Sequence, residues 1–236
     1  MKIPIVWLPK PLTLRNFVEA WNTSFFPHSI LNSVQVTLLT LVGDVLTCSF
    51  VAYGFAKRRF PGREKLFLLV LATMMIPFNV RVVPLYLLFH KFGWINTLKP
   101  LWVPKLFGDN ALYIFLFRQF FRAIPDELDE AAEIDGCNPV RTYWTITMRL
   151  SGPVIATVGI FSFMFTWNDL WGPLIFINTQ SHYTLALSLQ QFVSDFGIEY
   201  NLLMAAATIS LIPCLAVFFI LQRQFVRGVA LTGIKT

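Results

Sequence analysis

Six carboxylates fall within ten residues of this chain: Asp126, Glu127, Asp129, Glu130, Glu133 and Asp135, out of 13 acidic residues in all. Local signals make the run a short helix. Pro125 suits the first helical position, acids in the first turn complement the helix dipole, and Gly136 can take the left-handed conformation that ends it. Asn138 and Pro139 start a second helix by the same signals. Leu128, Ala131, Ala132 and Asp135 share one face of the first helix, a small-residue patch with one apolar anchor and a rim of carboxylates. Such a face suits close docking onto another chain; on composition alone it also fits a solvated charged helix.

A second group of polar residues stands inside apolar sequence: Asp44, Asn79, Arg81, Asn168 and Asp169. An apolar phase offers them no partners, so they read as functional by default. Trp167 and Trp171 flank Asn168 and Asp169, where indoles could stack on sugar rings while the polar groups hydrogen-bond hydroxyls. That is a solute-pathway reading; the other is interhelical packing through polar contacts. Asp44 and Arg81 could pair with each other. Enzymatic chemistry finds no constellation, since GxSxG and HExxH are absent and no Gly-Lys pair exists to form a Walker A loop. Cys48, Cys137 and Cys214 show no CxxC spacing, and His28, His90 and His182 stand at unrelated positions, so neither a metal site nor a cofactor is expected.

The elements that must carry these residues follow from composition. Of 236 residues, 56% are hydrophobic and only 14% charged, against roughly 25% charged in an ordinary soluble domain. A helix needs about 20 apolar residues to cross the hydrocarbon core. Five segments qualify: about Ile30–Phe55, Leu66–Phe89 with Pro77 and Pro84 tolerated as kinks, Leu101–Phe121 with a true start near Asn110, Pro153–Ile177 and Leu202–Leu221. The fold class is therefore all-α, a polytopic membrane helical bundle of about five transmembrane helices with a cytoplasmic pair of short helices. The formal charge of +6 is spread between apolar runs, which argues against nucleic acid as a partner and for the lipid bilayer.

Lysine and arginine accumulate on the cytoplasmic side of membrane proteins. Twelve basic residues, from Lys57 to Lys65, Arg118 to Arg149 and Arg223 to Lys235, fall on one side; six fall on the other, and Arg81 lies within a span. The N-terminus is thus expected outside and the C-terminus inside, with the acidic helix in the cytoplasm. The outer stretch from Asn178 to Asn201, with Tyr183, Leu185, Leu187, Leu189, Phe192 and Phe196, is too apolar for a solvated linker. It either touches an external partner or lies on the membrane surface.

The string Glu130-Ala131-Ala132-Glu133-Ile134-Asp135-Gly136, followed by Ile146 and Pro153, resembles the EAA signature of permease subunits in ATP-binding-cassette importers. Pro84-Leu85-Tyr86, Gly93-Trp94-Ile95-Asn96-Thr97, Phe117-Arg118-Gln119-Phe120-Phe121 with Ile124-Pro125, Trp167-Asn168-Asp169 and the tail Gln222 to Gly228 are similar to the carbohydrate-importing branch. The resemblance covers nearly the whole chain. It implies a cell-membrane transport subunit without catalytic residues of its own. Its implied partners are a cytoplasmic ATPase dimer, a second and different permease, and an extracytoplasmic solute-binding protein. Glu130, Ala131, Ala132, Asp135 and Gly136 become the ATPase-coupling residues, while Asn79, Trp167, Asn168, Asp169 and Trp171 are the candidate pathway residues. The implied substrates are sugars or oligosaccharides, with a phosphorylated polyol such as glycerol phosphate as the alternative. A gradient-driven secondary transporter, with Asp44, Arg81 and Asp169 as coupling charges, gives no reason for the acidic helix.

Segments follow accordingly: 1–29 extracytoplasmic, 30–222 the transmembrane permease domain with its coupling loop at 123–152, and 223–236 a cytoplasmic tail. Two features depart from the family pattern. Met148-Arg149 stands where a Leu-Pro step is usual, and an additional N-terminal span is usual before a segment like Pro4 to Pro27. The chain either starts late or works with the five-span core.

Overall fold

A long apolar run with a single charge, Asp44, separates Phe26 from Lys57, and nothing in it stops a helix. The computed structural model describes residues 13–23, 25–194 and 197–233, with backbone only at Gln191, Ser194, Gly197 and Ile198 and beyond Ile220. Residues 1–12 and the side chains of the tail lie outside the described part. After α1 (Arg15–Asn22) comes α2, a continuous helix over Phe26–Lys57. At 1.5 Å per residue its 32 residues reach about 48 Å, beyond the roughly 30 Å of hydrocarbon. One π-helical turn, Asp44–Cys48, interrupts it.

The second expected segment is broken rather than kinked. Helices α3 (Arg63–Met75) and α4 (Phe78–Lys91) meet at 96°. Pro77 lacks an amide hydrogen and forces Ile76 into an extended conformation, ψ 110°, which stops the first helix. Pro84 stays inside α4. The third segment is a helix of more than two turns only as α5 (Ala111–Ala123), where Asn110 caps the start by accepting from the Tyr113 amide. Lys99–Trp102 and Val103–Phe107 precede it as separate short turns.

The acidic run forms α6 (Glu127–Ile134) and the next short helix is α7 (Pro139–Leu150). Pro125 stands ahead of α6, not at its first helical position, and Asp126 is the cap residue. α7 meets α8 (Gly152–Trp167) at 80°, with Pro153 early in α8. The fourth segment also ends sooner than expected, because Asn168 and Asp169 stop it before α9 (Trp171–Phe176). Such side chains compete for backbone hydrogen bonds and favour helix ends. The fifth segment is α10 (Tyr200–Gly233). Among the described residues, α2 and α10 are each long and apolar enough to cross a membrane, and each bent pair qualifies when taken as one span.

Two cores hold these helices. Cys48, Tyr53, Phe67, Tyr113, Phe117, Phe121, Tyr143 and Val158 pack together near the α6 end. Ala20, Phe26, Phe163, Trp167, Leu185, Phe192 and Ala206 form the other. Of the apolar residues singled out in the 178–201 stretch, Leu185, Leu187 and Phe192 are buried on the chain's own helices, Tyr183 and Leu189 are half-buried, and Phe196 lies outside the described residues. The apolar surface of Leu185, Leu187 and Phe192 is spent on this packing, so these three residues do not argue for an external partner. In lipid, helices associate through close packing and polar contacts, and both are present. A Cβ at Gly43 would stand 3.1 Å from the Lys105 carbonyl. Buried Arg118 donates to both Glu64 carboxylate oxygens at 2.7 Å and lies 4.0 Å from the Phe67 ring centre.

Candidate functional site

Two sites emerge, one on α6 and one at the α8–α9 break. On α6, Ala132 is the buried residue, 4% exposed, so it marks the inner face. Beside it Lys57, at the end of α2, donates to the Ile124 carbonyl at 2.7 Å and to Asp126 Oδ1 at 2.7 Å, and pairs with Asp129 at 3.1 Å. Arg58 reaches Glu133 at 3.7 Å. The Lys57 ammonium, by its hydrogen bond and its charge, holds the Asp126 carboxyl below the ordinary carboxylate range. The basic cluster that ends the first span is therefore also the anchor of the acidic helix. In the sequence this cluster serves to orient the spans, and the opposite charges placed on the same membrane side were the available signal of the anchor.

Glu130, Ala131 and Asp135 are exposed, and so are Leu128 and Ile134, the latter at 87%. Gly136 takes φ +76°. Its amide donates to the Glu133 carbonyl and the Cys137 amide to the Ala132 carbonyl, a Schellman closure that needs the left-handed residue. Asn138 accepts from the Arg141 amide at 2.8 Å and starts α7. The five expected coupling residues thus lie together, with Ala132 inward and the other four open to a partner.

The expected pathway residues are divided. Asp169 and Trp171 line a cleft of about 480 Å³, together with Arg81, Lys105 and Asp109 and aromatic walls from Phe78, Phe89, Phe165 and Phe176. Trp167 is buried, stacks on Phe163 and donates to the Ser210 carbonyl at 3.2 Å, a packing role. Asn168 is exposed and turns back to the Met164 carbonyl. Asn79 is exposed between two cleft residues, Phe78 and Arg81. Asp44 does not pair with Arg81. It is buried on α2 and accepts from Ser162 of α8 at 2.7 Å, while Arg81 faces the cleft from α4. Lys105 and Asp109, ion-paired at 3.1 Å, were not singled out from sequence because they belong to the irregular approach to α5.

Asn96 fixes one end of this cleft. Its amide donates to the Phe176 carbonyl at 2.7 Å, its side-chain oxygen accepts from the amides of Asn178 and Thr179, and its side-chain nitrogen donates to Thr179 Oγ1. Its φ is +62°, which asparagine tolerates better than most residues. Asn96→Ala should lower the midpoint of thermal unfolding in detergent, at a cost of about 1–3 kcal/mol from three exposed hydrogen bonds and the backbone strain. Asn96→Gly, which relieves the strain alone, should recover part of it. Equal unfolding of the wild type and both variants would remove Asn96 as a clasp.

The family model for the binding-protein-dependent transport system inner membrane component matches residues 45–231. The chain belongs to this family. An arabinooligosaccharides transport system permease protein of Halalkalibacterium halodurans is 32% identical over 99% of this chain and 83% of its own length. An sn-glycerol-3-phosphate transport system permease protein of Yersinia enterocolitica is 32% identical over 96% of this chain and 83% of its own length. A crystal structure of a bacterial ABC transporter involved in the import of the acidic polysaccharide alginate has a similar fold, with a TM-score of 0.81, 22% identity, and 92% of this chain and 81% of the other covered. As an inner membrane component of this family, the chain is a transport subunit, as the Glu130–Gly136 run and its flanks implied.

Proposed function

We propose that this chain is a permease subunit of an ATP-driven, binding-protein-dependent importer of sugars or oligosaccharides. It pairs with a second permease, takes solute from an extracytoplasmic binding protein, and docks on a cytoplasmic ATPase dimer through α6, with its C-terminus in the cytoplasm. The observation that carries the reading is the split of α6: an inner face clamped to α2 by Lys57 and an outer face, Glu130, Ala131, Ile134 and Asp135, left open. A helix held rigidly on one side passes displacement of its other side to the spans, and closure of the ATPases supplies that displacement. Alternating access would follow from movement of α2 and of α8, which continues from the α7 end of the same loop. Family membership and the sugar substrate named for the Halalkalibacterium relative support the reading. One observation favours the second reading, a phosphorylated polyol like that named for the Yersinia relative: the Arg81 guanidinium in the cleft wall.

The test is gentle detergent purification of the tagged chain from its native membrane, followed by mass spectrometry of what stays bound. An ATPase with a Walker A motif and a second multi-span permease are the expected companions. A chain recovered alone that still moves solute in ATP-free vesicles would overturn the importer reading in favour of a gradient-driven transporter.

A further inference from the structure

Four charged residues line the cleft, and three are already engaged. Lys105 and Asp109 neutralise each other at 3.1 Å. Asp169 is turned toward its own backbone: Oδ1 accepts from the Gly172 amide at 3.2 Å, and Oδ2 is pressed so closely on Gly172 that a Cβ there would lie 2.5 Å from it. Arg81 is exposed and has neither an ion pair nor a hydrogen bond among the described residues, Asp169 included. It stands on α4 just past the break at Pro77, within an apolar segment, where an unpaired cation is costly unless water or an anion reaches it. Trp171, 66% exposed, stands in the same cleft and offers an aromatic face to a ring.

We infer that Arg81 is a specificity-determining residue of this cleft and that the solute it passes is a sugar or polyol carrying a carboxylate or a phosphate. A guanidinium offers paired donors that match either anion, which a hydroxyl group alone does not exploit. Trp171 holds the ring or carbon skeleton while Arg81 holds the charge. Gly172 is part of the device, because its missing side chain lets Asp169 stay folded onto the backbone and out of Arg81's reach. This inference rests on the importer reading and narrows its substrate class.

The experiment uses the assembled importer with its ATPase and binding protein in phosphatidylcholine proteoliposomes. ATP-dependent uptake of glycerol phosphate, an oligouronate and a neutral arabino-oligosaccharide is measured for the wild type, R81Q and R81K. The expected result is uptake of an anionic solute whose KM rises at least tenfold in R81Q, with kcat changed less than threefold and R81K intermediate. Uptake of the neutral oligosaccharide alone, or an unchanged KM for the anionic solute in R81Q, would overturn the inference while leaving the importer reading in place. So would an equal loss for neutral and anionic solutes in R81Q and D169N, which would mark an Arg81–Asp169 gate pair. An R81Q effect seen only in phosphatidylglycerol vesicles would instead assign the anion to a lipid headgroup. Uptake independent of ATP would overturn both readings together.

Discussion

Gly136→Ile is expected to reduce the ATPase recovered with this chain at least tenfold while leaving the amount of membrane-inserted chain unchanged. The reason is conformational. Gly136 sits at φ +76° and closes α6 by the paired bonds from its own amide and that of Cys137. A left-handed conformation costs an ordinary L-residue roughly 1–2 kcal/mol and a β-branched one more. A Cβ at this position meets no atom within 4 Å, so crowding plays no part. The chain therefore escapes strain by leaving the left-handed region, which redirects it between α6 and α7 and turns the outer face of α6 away from the orientation in which the proposed docking would occur. Gly136→Asn, which accepts the left-handed region more readily, should retain most of the association. Ile134→Asp tests the face itself: the residue is 87% exposed and contributes little to the fold, so a comparable loss there isolates docking from folding. Undiminished co-purification of ATPase with both Gly136→Ile and Ile134→Asp would remove α6 from the ATPase interface.

Much of this was legible in the sequence for identifiable reasons. The apolar runs of α2 and α10 were legible as spans because they are long and nearly free of charge, and Asn110, Gly136 and Asn138 mark helix ends by local chemistry that tertiary context did not override. Where the structure differs, the cause is a choice between local outcomes that sequence does not weigh. Pro77 signals a kink, but whether the chain bends slightly or turns through 96° depends on what packs around it. The polarity of Asn168 and Asp169 that suits a pathway also ends the helix that carries them, and of the two Asp169 lines the cleft. Asp44 and Arg81 looked complementary as charges, yet their helices face different neighbours. Leu185, Leu187 and Phe192 carried a correct signal of burial with no indication of whose surface would bury them.

Lys57→Met is expected to leave ATPase association largely intact and to lower ATP-driven uptake at least tenfold, with hydrolysis continuing uncoupled. Lys57 is 2% exposed at its side chain, against 75% for Asp126 and 20% for Asp129. It joins the end of α2 to the approach and the first turns of α6 through a carbonyl and two carboxylates. Removing one partner of a buried pair costs about 3–5 kcal/mol; solvent around Asp126 moderates this, so about 2–3 kcal/mol of local stability is at stake. That loss frees the inner face of α6 without altering its outer face, so in the proposed coupling force from an ATPase would be dissipated before it reaches α2. Lys57→Arg keeps the charge and should retain part of the uptake. The contact should be insensitive to pH near neutrality. Asp126 has a depressed pKa in the folded chain, so its contribution is complete above the ordinary carboxylate range of about 4 and is lost only as pH falls through the lower folded value. Lys57→Met transporting at the wild-type rate, or wild-type uptake collapsing between about pH 8 and 6 through loss of this contact, would remove the Lys57 clamp as the link between α6 and the membrane helices.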